Sequence, residues 1–490
     1  MENNKATLSW NQLNAIDPTW VDIPELSLLT LPERVIQFGT GALLRGLPDD
    51  YIHRANLAGI FQGRILVVKS TDQGSTTAFE QQNSLYTLLV QGYEDGQHIV
   101  SRQVNAAISR VLSAQQQWHE ILKTARSPEM EILISNTTEA GIVGSEGTIH
   151  DSPPISLAAK ILAYLYARYR HFDADPTKGL VIIPTELITD NAVVLKDIIL
   201  NLCHQQQLED TFIDWVDQAN YFCNSLVDRI VLNKVAPETL PYVDSLAIMA
   251  EPYRLWAIES DSSVVHNKLS FAALDPSIKI VPNIAKYKEI KLRLLNATHT
   301  LCCGLAILSG IADVKTFFTD AVLDCYIRQI LFKEIGPSLL QTGILTTEAD
   351  QFAHTVIDRF KNPFLSHQWT SIAIQFSSKI KTRVLPILPY WYGQHQAPPT
   401  GVAIGFAAYI LLMQQTTEEH DFHDDYRSAV QLHLQQPDPV PSLLADQQIW
   451  GESLLNYAGL ACMVSEILQR IKQVGLRSTI VDYLFEQQTV

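Results

Sequence analysis

The chain has 490 residues, 47% hydrophobic and 18% charged, too long for one ordinary core and long enough for two or three well-buried domains. With 52 acidic against 36 basic side chains, the formal charge of −16 disfavours nucleic acid and anionic lipid as partners. The six cysteines, at 203, 223, 302, 303, 325 and 462, form no CxxC pair and have no histidine at ligand spacing, so neither a zinc site nor a disulfide framework is expected. The polar start MENNKATLSWNQLNAIDPTW lacks the pattern of a secretory signal, and the longest apolar stretch, from Val402 to Met413, is too short to span a bilayer. A cytoplasmic protein is expected, with no membrane partner, no metal, and an oligomeric state that the sequence leaves open.

Short β-rich runs alternate with longer amphipathic ones from Arg34 onward: RVIQF, RILVVKS, EILISN, then GLVIIP at 179–184 and SLAIMA at 245–250. That alternation predicts a parallel sheet and an α/β Rossmann-type N-terminal domain over residues 1–285. After Asn283 the apolar residues recur at three- and four-residue spacing, as in KYKEIKLRLLNATHTLCCGLAILSG, which predicts a mostly α-helical C-terminal domain over 286–490. Asn362-Pro363, the prolines at 386 and 389, and QAPPT at 396–400 punctuate its helices.

In RVIQFGTGALLRGLPDDY a strand runs into Gly39-x-Gly41 and then a helix-compatible stretch. One glycine permits the sharp turn and the other lets the backbone approach a pyrophosphate. Leu44 stands where a third glycine is usual, so the fingerprint is two-thirds met. At the end of the second run Lys69 replaces the acidic residue that ordinarily holds the ribose hydroxyls, with Asp72 three residues later, and the choice between NAD and NADP stays open.

Lys291, Asn296 and His299 lie five and then three residues apart, within an arc of about 140° on an α-helix. Reduction of a ketone needs a proton donor at the carbonyl oxygen, a neutral hydrogen-bond donor to the developing alkoxide, and a group that orients the substrate. Lysine, asparagine and histidine supply all three. Lys288, Arg293 and His299 are the cationic neighbours expected to favour a neutral amine at the lysine.

The segments IQFGTGALLRG, SNTTEAG at 135–141, NSLVDRIV at 224–231 and KLRLLNATH at 291–299 resemble the polyol-specific long-chain dehydrogenases, the mannitol dehydrogenase family. The resemblance implies an NAD cofactor and catalysis by Lys291, Asn296 and His299. It further implies that Gly39, Gly41 and Arg45 belong to the cofactor loop, that Thr138 and Glu139 lie toward the nicotinamide, and that Asp228 and Arg229 border the active site; Lys69 joins the cofactor-site candidates by its place at the end of the second run. The wording IIPTELI, DQANYFCNSLVDRIV, FKNPFLSHQ and SKIKTRVLP is similar to the branch that interconverts D-altronate and D-tagaturonate. A small sugar-acid substrate would need cations, for which Arg359 and Lys379 are the candidates. Glu186-Leu187 departs from the Asp-Asn of mannitol-type enzymes and removes one oxyanion donor. A fructuronate reductase, a polyol 2-dehydrogenase, an epimerase with transient nicotinamide chemistry and a non-catalytic nucleotide-binding protein stay as alternatives.

Overall fold

The computed structural model describes residues 5–71, 74–233, 235–414 and 422–486. The chain divides into two compact units, Met1–Gln91 with Ile99–Ile284, and Gly92–His98 with Ala285–Val490. The strands in chain order are β1 (Glu33–Phe38), β2 (Arg64–Lys69), β3 (Tyr86–Glu94), β4 (Gln97–Asn105), β5 (Ile108–Ser113), β6 (Ile132–Ser135) and β7 (Val181–Pro184). They continue with β8 (Tyr221–Phe222), β9 (Ser225–Asp228), β10 (Val231–Leu232), β11 (Ile248–Ala250), β12 (Leu255–Glu259) and β13 (Ile278–Val281).

In the first unit a six-stranded parallel sheet has the order β5-β2-β1-β6-β7-β8. All six residues of β2 are buried, as a parallel strand covered on both faces requires. Successive side chains feed opposite cores: Ile36, Phe38, Leu66 and Val68 pack on one face, Val35, Ile65 and Val67 on the other. The register places Phe38 beside Val68 and Ser135, Lys69 beside Ser113, and Ser135 beside Pro184, so the carboxyl ends of five strands share one edge. The chain leaves β1 toward β2 and β5, then returns to β6 on its other side. That reversal opens the crevice in which open α/β sheets bind ligands.

Two smaller sheets, β10-β11-β3-β4 and β13-β12-β9, complete the strand inventory. The sequence reads one of their strands, β11, within SLAIMA, but that strand pairs with β10 and β3 and does not join the parallel sheet. β10 has only two residues and carries no readable alternation.

The second unit is helical apart from residues 92–98. Its central helix, Thr400–Gln414, is buried on nearly every side, and Glu334 caps its start by accepting from the amides of Gly401 and Val402 at 2.8 and 3.0 Å. Burial pushes the Glu334 carboxyl up, and Tyr483 Oη donates to it at 2.6 Å. The helix Thr298–Leu308 lies against Thr400–Gln414 so closely that a Cβ on Gly304 would stand 3.0 Å from the Ala408 carbonyl carbon. Three segments of the second unit are π-helical rather than α-helical: Lys291–Ala297, Ile330–Ile335 and Ile380–Val384.

Candidate active site

Around the end of β1 the first unit holds a cavity of about 630 Å³, lined by Gly39, Gly41, Lys69, Asn136, Thr138 and Lys160, among others. Gly39 has φ +135°, and a Cβ there would meet the Asn136 carbonyl oxygen at 2.8 Å and the Leu44 side chain at 2.9 Å. Only glycine fits that cradle. A Cβ at Gly41 would meet nothing within 4 Å, so its backbone faces open space. These features fit the pyrophosphate of a dinucleotide, with Lys69 and Lys160 at hand as cations; Lys160, whose Nζ donates to the Ile155 carbonyl at 2.6 Å, was missed in the sequence.

Thr138 caps a short turn of helix by accepting from the Gly141 amide at 3.1 Å and lines the same cavity. The side chain of Glu139 lies outside the described residues. Arg45 is buried away from the cavity lining, donating to the Leu246 carbonyl and to Asn233 Oδ1 at 2.9 Å. Arg229 is likewise buried, paired with Asp50 at 2.8 Å and donating to the Glu251 carbonyl at 3.0 Å, while Asp228 is buried at the end of β9. Arg45 and Arg229 thus tie chain segments together within the first unit. Glu186 accepts from the Thr137 amide at 3.0 Å and from Ser135 Oγ at 3.2 Å, and burial raises its carboxyl above the usual range.

In the second unit, Lys291 and Asn296 belong to the π-helical segment Lys291–Ala297, and His299 to the α-helix that follows. This corrects the α-helical geometry assumed from spacing. In a π-helix the hydrogen bonds run from i to i+5, so Lys291 and Asn296 stand one turn apart rather than spread across an arc. Burial follows suit: Arg293, Leu294, Leu295, Ala297 and Thr298 are buried, while Lys291, Leu292, Asn296 and His299 remain partly accessible. Thr300 Oγ1 donates to the Asn296 carbonyl at 2.8 Å where the two helix types meet.

His299 sits in an aromatic box, with ring centroids 4.1 Å from Phe360, 5.4 Å from His367 and 6.1 Å from Trp369. Burial first, then the charges of His367, Arg359, Arg383 and Lys379, push its pKa well below the usual histidine value, so the imidazole is neutral at neutral pH. The same forces act on the cations. Burial and the neighbouring Arg383 lower the Lys379 pKa, and burial lowers that of Arg383. Lys379 Nζ donates to the Ile372 carbonyl at 2.8 Å, and Arg383 Nη1 lies 3.5 Å from Thr300 Oγ1. Arg359 is buried.

Arg293 does not serve as a free positive neighbour of Lys291. Its Nε donates to Glu289 at 2.6 Å, and its Nη1 donates to the carbonyls of Thr382 and Arg383 at 2.7 and 2.6 Å. One π-helical segment therefore holds another, the one that carries Arg383. His367 and Phe360 carry no signal in the sequence, because nothing in one-dimensional spacing brings residues 299, 360, 367 and 383 together.

Among the described residues no helix is long and apolar enough to cross a membrane, and no three His, Cys, Asp or Glu side chains cluster as metal ligands do.

The mannitol dehydrogenase Rossmann domain matches residues 33–271 and the mannitol dehydrogenase C-terminal domain matches residues 283–472. Altronate oxidoreductase of Bacillus subtilis (strain 168) is 32% identical over 467 residues, covering 93% of this chain and 96% of the relative. The altronate oxidoreductase of Escherichia coli O7:K1 (strain IAI39 / ExPEC) is 32% identical over 469 residues, covering 92% and 96%. Among solved structures, the Pseudomonas fluorescens mannitol 2-dehydrogenase ternary complex with NAD and D-mannitol aligns with a TM-score of 0.69 at 20% identity, covering 98% of this chain and 99% of that one. D-sorbitol dehydrogenase in substrate-free form aligns with a TM-score of 0.75 at 19% identity, covering 97% and 100%. With both domains matched in order across most of its length, the chain belongs to the mannitol dehydrogenase family.

Proposed function

We propose that the protein is a cytoplasmic NAD-dependent reductase of an open-chain hexuronate, interconverting D-tagaturonate and D-altronate. The observation that carries this reading is the setting of His299: a neutral imidazole on the Lys291–Asn296–His299 segment, within the electrostatic reach of Arg359, Lys379 and Arg383, in a chain of net charge −16. Concentrating cations at one place in an acidic protein suits an anionic substrate. The altronate oxidoreductase relatives, alike over more than nine-tenths of their length, support the same choice. Six free cysteines fit a reducing compartment.

In the reductive direction Lys291 gives its proton to the substrate oxygen as that oxygen becomes an alcohol. Asn296 donates an amide N–H to the same oxygen and stabilises its growing negative charge. His299, held neutral, exchanges a hydrogen bond with a neighbouring hydroxyl and fixes the orientation of the carbon chain. Lys379 and Arg359 pair with the carboxylate. When bound, NADH supplies the hydride.

Steady-state kinetics with tagaturonate, fructuronate and fructose test the reading. Tagaturonate should have the highest kcat/KM, and a neutral ketose reduced equally well would refute the hexuronate assignment. Lys291→Ala should lower kcat by roughly 10² to 10⁴, the range of a lost general acid, with NADH still bound.

A further inference from the structure

A second cavity, of about 610 Å³, opens between the ends of β2 and β5 and is lined by Lys69, Ser75, Thr76, Thr77, Glu80 and Ser113, among others. Lys69 lines this cavity and the one around Gly39 and Gly41 alike. In a dinucleotide-binding sheet the end of the second strand meets the adenosine ribose; a carboxylate there holds the ribose hydroxyls, and a nearby cation accommodates a 2′-phosphate. This chain places an ammonium at that strand end.

Lys69 is only 8% exposed, and its Nζ donates to the Thr71 carbonyl. Among the described residues no ion pair joins it to a carboxylate; Asp72 lies outside them. Ser75 Oγ and Thr77 Oγ1 lie 2.6 Å apart, and both hydroxyls can rotate to donate toward an anion. Glu80 opposes this arrangement. It is exposed, however, and already accepts from Thr76 Oγ1 at 2.7 Å, so its charge is screened by water while that of Lys69 is sheltered.

We propose that this cavity takes the 2′-phosphate of NADP(H), so that the protein binds both nicotinamide dinucleotides. The inference rests on the dinucleotide-binding reading of the first unit and extends it. The full-length protein is titrated with NADPH and with NADH by nucleotide fluorescence in the absence of sugar, and each is displaced with 2′-phospho-ADP-ribose and with ADP-ribose. The two dissociation constants should agree within about tenfold, or roughly 1.4 kcal/mol. Lys69→Asp should raise the ratio Kd(NADPH)/Kd(NADH) by about 100-fold, roughly 2.8 kcal/mol at 1.4 per tenfold. Lys69→Gln, with a smaller change at a buried position, should raise it less, and Glu80→Gln should lower it. Wild-type NADPH binding more than about 100-fold weaker than NADH binding, some 2.8 kcal/mol, overturns the inference alone. So does an equal loss of both nucleotides in the Lys69 variants. Failure of the wild type to bind either nucleotide overturns the dinucleotide-binding reading with it.

Discussion

Replacing Arg293 by Met isolates the tie between two π-helical segments. Methionine keeps much of the buried aliphatic volume but deletes two charge-assisted bonds, at 2.7 and 2.6 Å, to the carbonyls of Thr382 and Arg383. It also deletes the pair with Glu289, whose side chain is 28% exposed and therefore adds less than about 1 kcal/mol. A hydrogen bond to a charged group contributes about 1.5–3 kcal/mol, so two would give roughly 3–6. Thr382 is exposed, and water can take over its carbonyl, which brings the expected loss to about 3 kcal/mol. Urea unfolding followed by tryptophan fluorescence should then show the midpoint of the second unit falling by roughly 1 M. Because Arg383 lies on the released segment and Lys379 directly precedes it, KM for the hexuronate should rise more than kcat falls. Arg293→Lys should restore only part of the stability, since an ammonium lacks the planar fork that spans both carbonyls. A stability loss below about 0.5 kcal/mol would show that those carbonyls need no protein donor, and the coupling argument would fail.

Three other outcomes follow from the same geometry. Lys379→Met should raise KM for tagaturonate at least about tenfold, the equivalent of roughly 1.4 kcal/mol, while changing KM for fructose little; parallel changes would remove Lys379 from the carboxylate site. Gly39→Ala forces a Cβ to 2.8 Å from the Asn136 oxygen at φ +135°, so NADH affinity should fall about tenfold or more, and an unaltered Kd would contradict the cradle. Acid should weaken the fold through the histidines it holds neutral. Burial lowers the pKa of His53 to about 4 and that of His299 well below 6.5. Below pH 6.5 the unfolded chain takes up protons that the folded chain does not, so stability is full above that value and declines as pH falls toward 4. Each fully excluded proton contributes a slope of about 1.4 kcal/mol per pH unit, and urea midpoints at pH 7.5, 6 and 5 that stay flat would refute it.

The parallel sheet was legible because β1, β2, β6 and β7 are buried on both faces and must read as continuous apolar runs such as ILVV and ILIS. β10, with only two residues, carried no such signal and pairs with β11 through tertiary context. Gly39 and Gly41 were legible for a local reason, since the turn they make is encoded in adjacent residues. Arg45 and Arg229 could not be assigned from sequence, because an arginine that binds a ligand and one that binds backbone carbonyls 183 residues away are written with the same letter.

The π-helical winding sets Lys291 and Asn296 about one turn apart along the backbone of the second unit. Spacing of five is poor for an α-helix, where such residues fall on diverging faces, and it becomes a direct vertical neighbour only when the chain winds wider. That wider winding needs outside support, since an isolated π-turn packs less well than the α-helix it replaces. Support is present on each side: Thr300 donates to the Asn296 carbonyl, Arg293 reaches the carbonyls of a second π-helical segment, and Leu294 and Leu295 are anchored in the core. The spacing of Lys291 and Asn296 and the buried packing around them are thus the same structural decision. A substitution that lets Lys291–Ala297 relax to an α-helix would change the spacing of Lys291 and Asn296 without touching either, and under the proposed mechanism activity should fall with both side chains intact.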